Sequence, residues 1–170
     1  MEPRKENRLK CFDYSEYGAY FVTICTQNRR NMFWHECRVD PCGRPKVTLS
    51  HLGKIAEETI QMMQEKYHIS VDKYVVMPNH VHMIIGIYDD SQRLTARVNP
   101  TLSQIVGAYK SLVSSRWLAV CKDGNVTMGK IWQKSFHDHV IRGQRDYEEI
   151  WTYIDNNPKQ WELDEYHTIS

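Results

Sequence analysis

The sequence lacks long apolar runs, an obvious targeting segment and a marked excess of charge of either sign. No stretch approaches the roughly 18 consecutive apolar residues that a membrane helix needs. The polar residues 1–10 lack the apolar middle of a secretory signal. We therefore expect a cytoplasmic protein with no membrane partner. The 170 residues, 41% of them hydrophobic and 25% charged, suffice for one ordinary packed domain.

Cysteine is also sparse and scattered, with only Cys11, Cys25, Cys37, Cys42 and Cys121. An odd number without regular spacing excludes a disulfide framework. Cys37 and Cys42 are the only two cysteines close together in the sequence, and there is no second such pair to complete a four-cysteine site. Reduced structural thiols are therefore favoured over a zinc site, which remains the alternative.

The net charge of +1 gives no bulk indication of a nucleic-acid partner. A DNA-binding surface would have to be a local basic patch. Pairs of basic residues that could form one are Arg29 and Arg30, Lys110 and Arg116, Lys130 and Lys134, and Arg142 and Arg145.

Hydrophobic periodicity predicts an α+β fold. β-branched and aromatic runs predict strands at 20–26, 70–76, 80–88 and 131–141, with short irregular strands around a turn at 40–45. Helical spacing predicts helices over 52–67, over 102–120 and from about 146 onward, while 89–100 and 123–129 are expected to be loops. Ser50 is the expected N-cap of the first helix; Asp146 and Glu149 resemble a capping box for the last, and Pro158 limits its length. This order predicts a ferredoxin-like antiparallel sheet with helices packed on it.

The segment around His80 and His82 carries the sharpest chemical feature. Alternate side chains of a strand share a face, so the two imidazoles should point one way and Val81, Met83 and Ile85 the other. Two imidazoles on one rigid strand can chelate a metal ion. The alternative is a pair of histidines on a half-exposed sheet face.

A second pair, His137 and His139, flanks Asp138 on the predicted strand 131–141. The charged middle residue places this strand near a sheet edge. The first pair is therefore the better candidate for a metal site. The second pair would line the same cleft or contact DNA.

The last helix offers a candidate nucleophile. Tyr153 and Asn157 are four residues apart and so lie on one helix face, roughly a quarter turn from the apolar stripe around Trp151. The phenol could project into a cleft beside the amide. The alternative is a boundary tyrosine that covers the edge of the core.

Three segments together resemble a known family. MPNHVHMII, at 77–85, is similar to the signature of the HUH single-tyrosine transposases. WQKSFHDHVIR, at 132–142, and YIDNNPKQW, at 153–161, resemble the REP-associated branch of that family. The resemblance extends from about Tyr20 to Trp161. It implies the HUH endonuclease fold in a single domain over 1–170, with a core at about 12–161.

The resemblance also implies roles for individual residues. His80 and His82 match the pair that binds a divalent metal ion, Mg²⁺ or Mn²⁺, and Asn157 falls where relatives place a third, amide-bearing ligand. Tyr153 matches the catalytic tyrosine, which would attack the phosphate and form a 5′-phosphotyrosine intermediate. Asn79 precedes the pair as in the family and would have a supporting role.

The partner implied by the resemblance is single-stranded or hairpin DNA, and relatives include both monomers and dimers with exchanged sites, so a homodimer stays open. Residues that could contact this DNA are Arg29, Arg30, Lys110, Arg116, Lys134, His137, His139 and Arg142, while Trp34, Trp132 or Phe136 could stack on bases. Two alternatives to the transposase remain: a domesticated protein that binds DNA hairpins without strand transfer, and an unrelated metal hydrolase.

Overall fold

The computed structural model, which describes residues 18–39, 45–88 and 100–167, is built on a four-stranded antiparallel sheet. The strands are β1 (Gly18–Cys25), β2 (Trp34–Val39), β3 (Pro45–Leu49), β4 (Ser70–Val76), β5 (His80–Ile87) and β6 (His137–Val140). The helices are α1 (His51–Tyr67), α2 (Leu102–Asp123) and α3 (Gln144–Asn156), with short 3₁₀ helices at Gln27–Arg29 and Asn157–Leu163. The sheet order is β4-β5-β1-β6, and β2 pairs with β3 separately. The predicted α+β fold, an antiparallel sheet with helices packed on it, is confirmed.

The core lies between the sheet and the helices α1 and α2. Every residue of β5 is buried, because both faces of this central strand are covered. Val81, Met83 and Ile85 point toward the two helices and join one apolar cluster with residues of β1. Burying each such side chain contributes about 1.5–3 kcal/mol, so β5 is held rigidly in place.

The start of α1 follows the sequence prediction. The Ser50 hydroxyl accepts a hydrogen bond from Gly53 N at 3.0 Å. A Cβ atom on Gly53 would lie 2.1 Å from Phe33 O, so glycine is required for this close approach. The first turn of the helix is thereby fixed against the backbone at Phe33, just before β2.

Two predictions of local structure are wrong. The predicted strand 131–141 is a strand only at β6; before it there is one isolated bridge, between Thr26 and Trp132. Ile131, Trp132 and Phe136 are buried by side-chain packing and not as part of a continuous β-strand. Their apolar pattern therefore indicated a strand that does not form.

The predicted capping box at α3 is also absent. The helix begins one residue after Gly143, which has φ 91° and offers no side-chain cap. The Asp146 carboxylate instead accepts hydrogen bonds from Arg142 N at 2.9 Å and from the His139 ring. It is therefore used to join α3 to β6.

Some predictions fall outside the described residues. They include nearly all of the 89–100 loop, and the side chains of Cys37 and Cys42. None of the helices in the described part of the chain is long and apolar enough to cross a membrane.

Candidate active site

His80 and His82 lie side by side on the sheet face opposite α1 and α2. Their ring centroids are 4.4 Å apart, and both side chains are almost fully buried. Adjacent strands place Cys25 opposite His80 and Thr23 opposite His82. The strand alternation therefore brings the two imidazoles together as the sequence predicted.

Each imidazole is held through its Nδ1 atom. Asn79 Oδ1 lies 2.9 Å from His80 Nδ1, and Thr23 Oγ1 lies 2.9 Å from His82 Nδ1. The Asn79 orientation is fixed because its amide nitrogen donates to two backbone carbonyls. Its oxygen can only accept, so His80 carries its proton on Nδ1 and presents a free lone pair on Nε2. That Nε2 is buried and has no hydrogen-bond partner among the described residues.

Burial keeps both imidazoles neutral. Desolvation, followed by the neighbouring His82 and Arg29, lowers the pKa of His80 well below its ordinary value. Desolvation lowers the pKa of His82 to about 3. Neutral imidazoles with buried lone pairs are the form that metal ions bind.

The Tyr153 side chain of α3 approaches the histidine pair from the solvent-exposed side. Its phenol oxygen lies 3.4 Å from His82 Nε2, while 40% of the residue is exposed. Phe21 supports both groups: its ring is stacked on His82 at 5.1 Å and meets the Tyr153 ring edge-on at 6.0 Å. The phenol opens into a cleft of about 470 Å³ that His137, His139 and Tyr166 also line.

Burial, followed by the charge of Asp164, raises the pKa of Tyr153, and a hydrogen bond from the Asn157 side chain opposes this increase.

Two side chains with oxygen donors, Asn157 and Asp164, lie near the Tyr153 phenol. Asn157 is buried, and its Oδ1 has no hydrogen-bond partner within the described residues. Asp164 was not identified from the sequence. One potential ligand atom from each of His80, His82 and Asp164 lies within 4.8 Å of the other two. Two imidazole nitrogen atoms and a carboxylate form a donor set that fits a divalent metal ion.

The turn that carries Asp164 is fixed over the histidines. Asn79 Nδ2 donates to Tyr166 O at 2.8 Å, and Arg29 Nη1 donates to Glu165 O at 3.0 Å. The Tyr166 ring lies 4.7 Å from the His80 ring and beneath the Arg29 guanidinium at 5.0 Å. Asn28 and Arg29 both adopt the left-handed backbone conformation, with φ values of 56° and 52° respectively. This local backbone turn allows Arg29 to reach the turn that carries Asp164.

The second histidine pair lines the same cleft. Thr23 stands between His82 and His137 in register, so these three side chains share a sheet face. His139 stands opposite Phe21, and its Nε2 lies 2.8 Å from Asp146 Oδ2.

The other candidate DNA contacts are dispersed. Arg29 is at the site, and Arg30, Lys134 and Arg142 are exposed. Lys110 Nζ donates to the carbonyls of Gln133 and Ser135 and so holds the segment before β6. Arg116 pairs with Glu58 on the α1–α2 side of the sheet, away from the histidines.

The candidate stacking residues are mostly occupied within the fold. Trp132 and Phe136 belong to the apolar core. Trp34 is half-buried, and its indole nitrogen donates to Val76 O at 2.7 Å.

The family model described as "Transposase IS200 like" matches residues 15–157. The chain therefore belongs to the IS200-like transposase family.

Two relatives and one solved structure are similar to this chain. An uncharacterized protein of Haemophilus influenzae is 30% identical over 96% of this chain and 93% of its own length. The REP-associated tyrosine transposase of Escherichia coli is 23% identical over 85% of this chain and 68% of its own length. Among solved structures, a REP-associated tyrosine transposase bound to a REP hairpin has a TM-score of 0.56 at 20% identity, covering 93% of this chain and 74% of that one. The last likeness supports the fold.

Proposed function

We propose that the protein is a metal-dependent transposase that cleaves and rejoins single-stranded DNA near hairpins through Tyr153. The observation that carries this proposal is the 3.4 Å approach of the Tyr153 phenol to His82 Nε2, beside a buried His80 Nε2 that has no hydrogen-bond partner in the described part of the chain. A tyrosine that only covered the core edge would not need, at its tip, one ring of a pair of neutral imidazoles. A single chain supplies every one of these groups, and we propose one catalytic domain.

His80 and His82 would hold a divalent ion such as Mg²⁺ or Mn²⁺ together with Asp164. Asn157, whose side chain contacts both Tyr153 and Asp164, would be the alternative oxygen ligand. Such an ion would neutralise the phosphate oxygens and align the phosphodiester for attack. Asn79 and Thr23 fix the ring orientations, which keeps both Nε2 atoms directed at the site.

The reaction would exchange one phosphoester for another. The Tyr153 oxygen forms a bond to phosphorus while the bond from phosphorus to the 3′ oxygen breaks. The phenol loses its proton, and the departing 3′ oxygen becomes a hydroxyl. Because a phosphodiester is both consumed and produced, the step is reversible and the strands can be rejoined. The raised pKa of Tyr153 means that the phenol is protonated at rest, so the Asn157 hydrogen bond is useful because it favours the phenolate.

Single-stranded or hairpin DNA is the substrate that the site supports best. One nucleophile that is 40% exposed at a cleft needs an accessible backbone, which a paired duplex does not offer. The cleft of about 470 Å³ has room for a nucleotide next to Phe21 and His137. The solved REP-associated tyrosine transposase with a similar fold is bound to a REP hairpin, which supports such a substrate.

The decisive experiment is a covalent-adduct assay with labelled hairpin DNA and Mn²⁺ on a denaturing gel. The parent chain should form the adduct, and Tyr153→Phe should abolish it without loss of hairpin binding. Tyr88→Phe is the matched control, because Tyr88 is exposed and hydrogen-bonds Ser70 away from the histidines. An adduct in Tyr153→Phe would refute the assignment of the nucleophile.

Two other outcomes would identify the alternatives. Hairpin binding by the parent without any cleaved product would indicate a domesticated binding protein. Free 5′-phosphate ends that are insensitive to Tyr153→Phe would indicate a metal hydrolase.

A further inference from the structure

The helix that carries Tyr153 is attached to the sheet edge by a row of polar contacts. Tyr147, Trp151 and Asp155 follow each other at intervals of four and so form one stripe of α3. The stripe faces two consecutive residues of β4, Asp72 and Lys73. We call these five residues the docking seam.

Each contact of the docking seam joins α3 to β4. The Tyr147 hydroxyl donates to Asp72 Oδ2 at 3.0 Å. Lys73 forms an ion pair with Asp155, and its ammonium lies 4.6 Å from the centroid of the Trp151 ring. Burial, followed by the hydrogen bond to Asp72, raises the pKa of Tyr147 to about 12, which agrees with a phenol that donates to a carboxylate.

A β-bulge allows two neighbouring residues to face the same helix. Successive side chains of a regular strand point to opposite faces, so Asp72 and Lys73 should diverge. The register between β4 and β5 shifts here: Val71 is opposite Ile85, and Lys73 is opposite Ile84. The extra residue turns both side chains toward α3, as bulges do near functional sites.

Apolar burial contributes little to holding α3 in place. Ile154 is the only fully buried residue in this 13-residue helix, whereas α1 buries seven of its residues. Tyr153 lies between the anchors Trp151 and Asp155 but on another face. The docking seam therefore fixes the rotation of the helix on its β4 side, as the Asp146 contacts do on its β6 side.

We propose that Asp72 and Lys73 are positioning residues that set the Tyr153 phenol against the histidine pair. The inference rests on the proposed function, because it assigns these residues a part in the same reaction. A rotation of α3 by about 10° would move an atom about 6 Å from the helix axis by about 1 Å. A displacement of that size at a reacting atom costs about 100-fold in rate.

The first test measures the rate of adduct formation at saturating hairpin DNA. Lys73→Met should lower this rate at least about 10-fold and leave the hairpin Kd within about twofold. Lys73→Arg should restore most of the rate, because it keeps the positive charge and the contact with the Trp151 ring. Lys66→Met is the matched control: Lys66 also lies over a tyrosine ring, that of Tyr67, but on α1. Equal rates for Lys73→Met and Lys66→Met would overturn the proposal.

The second test does not depend on chemistry. Hydrogen exchange should become faster for the amides of α3 in Lys73→Met and in Asp155→Asn, and should be unchanged for β5. Unchanged exchange in α3 would overturn the proposal whatever the activity. A parent chain that forms no adduct would contradict the proposed function, and exchange in α3 would then decide the docking role alone.

Discussion

Asn79 Oδ1 accepts a hydrogen bond from His80 Nδ1 at 2.9 Å, and the amide nitrogen of the same residue donates to Arg29 O and Tyr166 O. One fully buried side chain thus fixes the tautomer of a candidate metal ligand and attaches the Asp164-bearing turn to the sheet. The supporting role expected of Asn79 from the sequence remains a prediction, and this geometry gives it a physical form.

Asn79→Ala should weaken both the fold and the metal site. The substitution leaves two carbonyls without their donor, and each unsatisfied buried group costs about 1–3 kcal/mol. His80 also loses the partner that orients its ring, which typically lowers metal affinity about 10–100-fold. Denaturant unfolding without metal and titration calorimetry with Mn²⁺ would measure the two effects. Unchanged Mn²⁺ affinity in a destabilised variant would limit Asn79 to a structural role.

Substitutions at Asp164 and Asn157 should distinguish the two candidate oxygen ligands. Asp164→Asn removes a negative charge next to His80 and His82, so we expect Mn²⁺ affinity to fall at least about 10-fold. Glu165→Gln is the matched control, since the neighbouring turn residue contacts Arg29 through its backbone carbonyl. Electron paramagnetic resonance of bound Mn²⁺ would give the affinities. Loss of binding in Asn157→Ala, with none in Asp164→Asn, would show instead that the amide is the third ligand.

The contact between Asp146 and β6 should make stability depend on acid pH. The backbone N–H of Arg142, followed by the His139 side chain, lowers the pKa of Asp146. A lowered folded-state pKa stabilises the fold above the unfolded value of about 3.9, and this contribution disappears as the pH falls through the folded value. Asp146 is partly exposed, so the effect should not exceed about 1 kcal/mol.

Urea unfolding of the parent and of Asp146→Asn between pH 6 and pH 2 tests this dependence. The parent should be the more stable protein at pH 6, and the difference should vanish toward pH 2. A difference that stays constant over this range would show that the carboxylate charge contributes nothing.

The parts of the site that depend on local periodicity could be predicted from the sequence. His80 and His82 share a face because strand alternation is set by the backbone itself. Tyr153 and Asn157 share a helix face for the same kind of reason.

Asp164 could not be found in this way. It follows a 3₁₀ helix and is brought to the histidines by a turn that Asn79 and Arg29 hold, and no spacing rule relates it to them. Tertiary contacts also explain the two wrong predictions of local structure. Asp146 bonds to β6 instead of capping α3, and the segment before β6 packs in the core without forming a strand. The β-bulge at Asp72 could not be predicted from the sequence either, because one extra residue does not change the pattern of apolar residues.

The polar character of the docking seam has a consequence for how the protein responds to its solvent. Charges that are partly exposed are screened over about 8 Å at physiological ionic strength and over about 3 Å at 1 M salt, whereas apolar packing is not weakened in this way. Concentrated salt should therefore loosen α3 while the sheet, α1 and α2 stay intact. Turnover would then slow even when every protein molecule is loaded with DNA, separately from any weakening of DNA affinity.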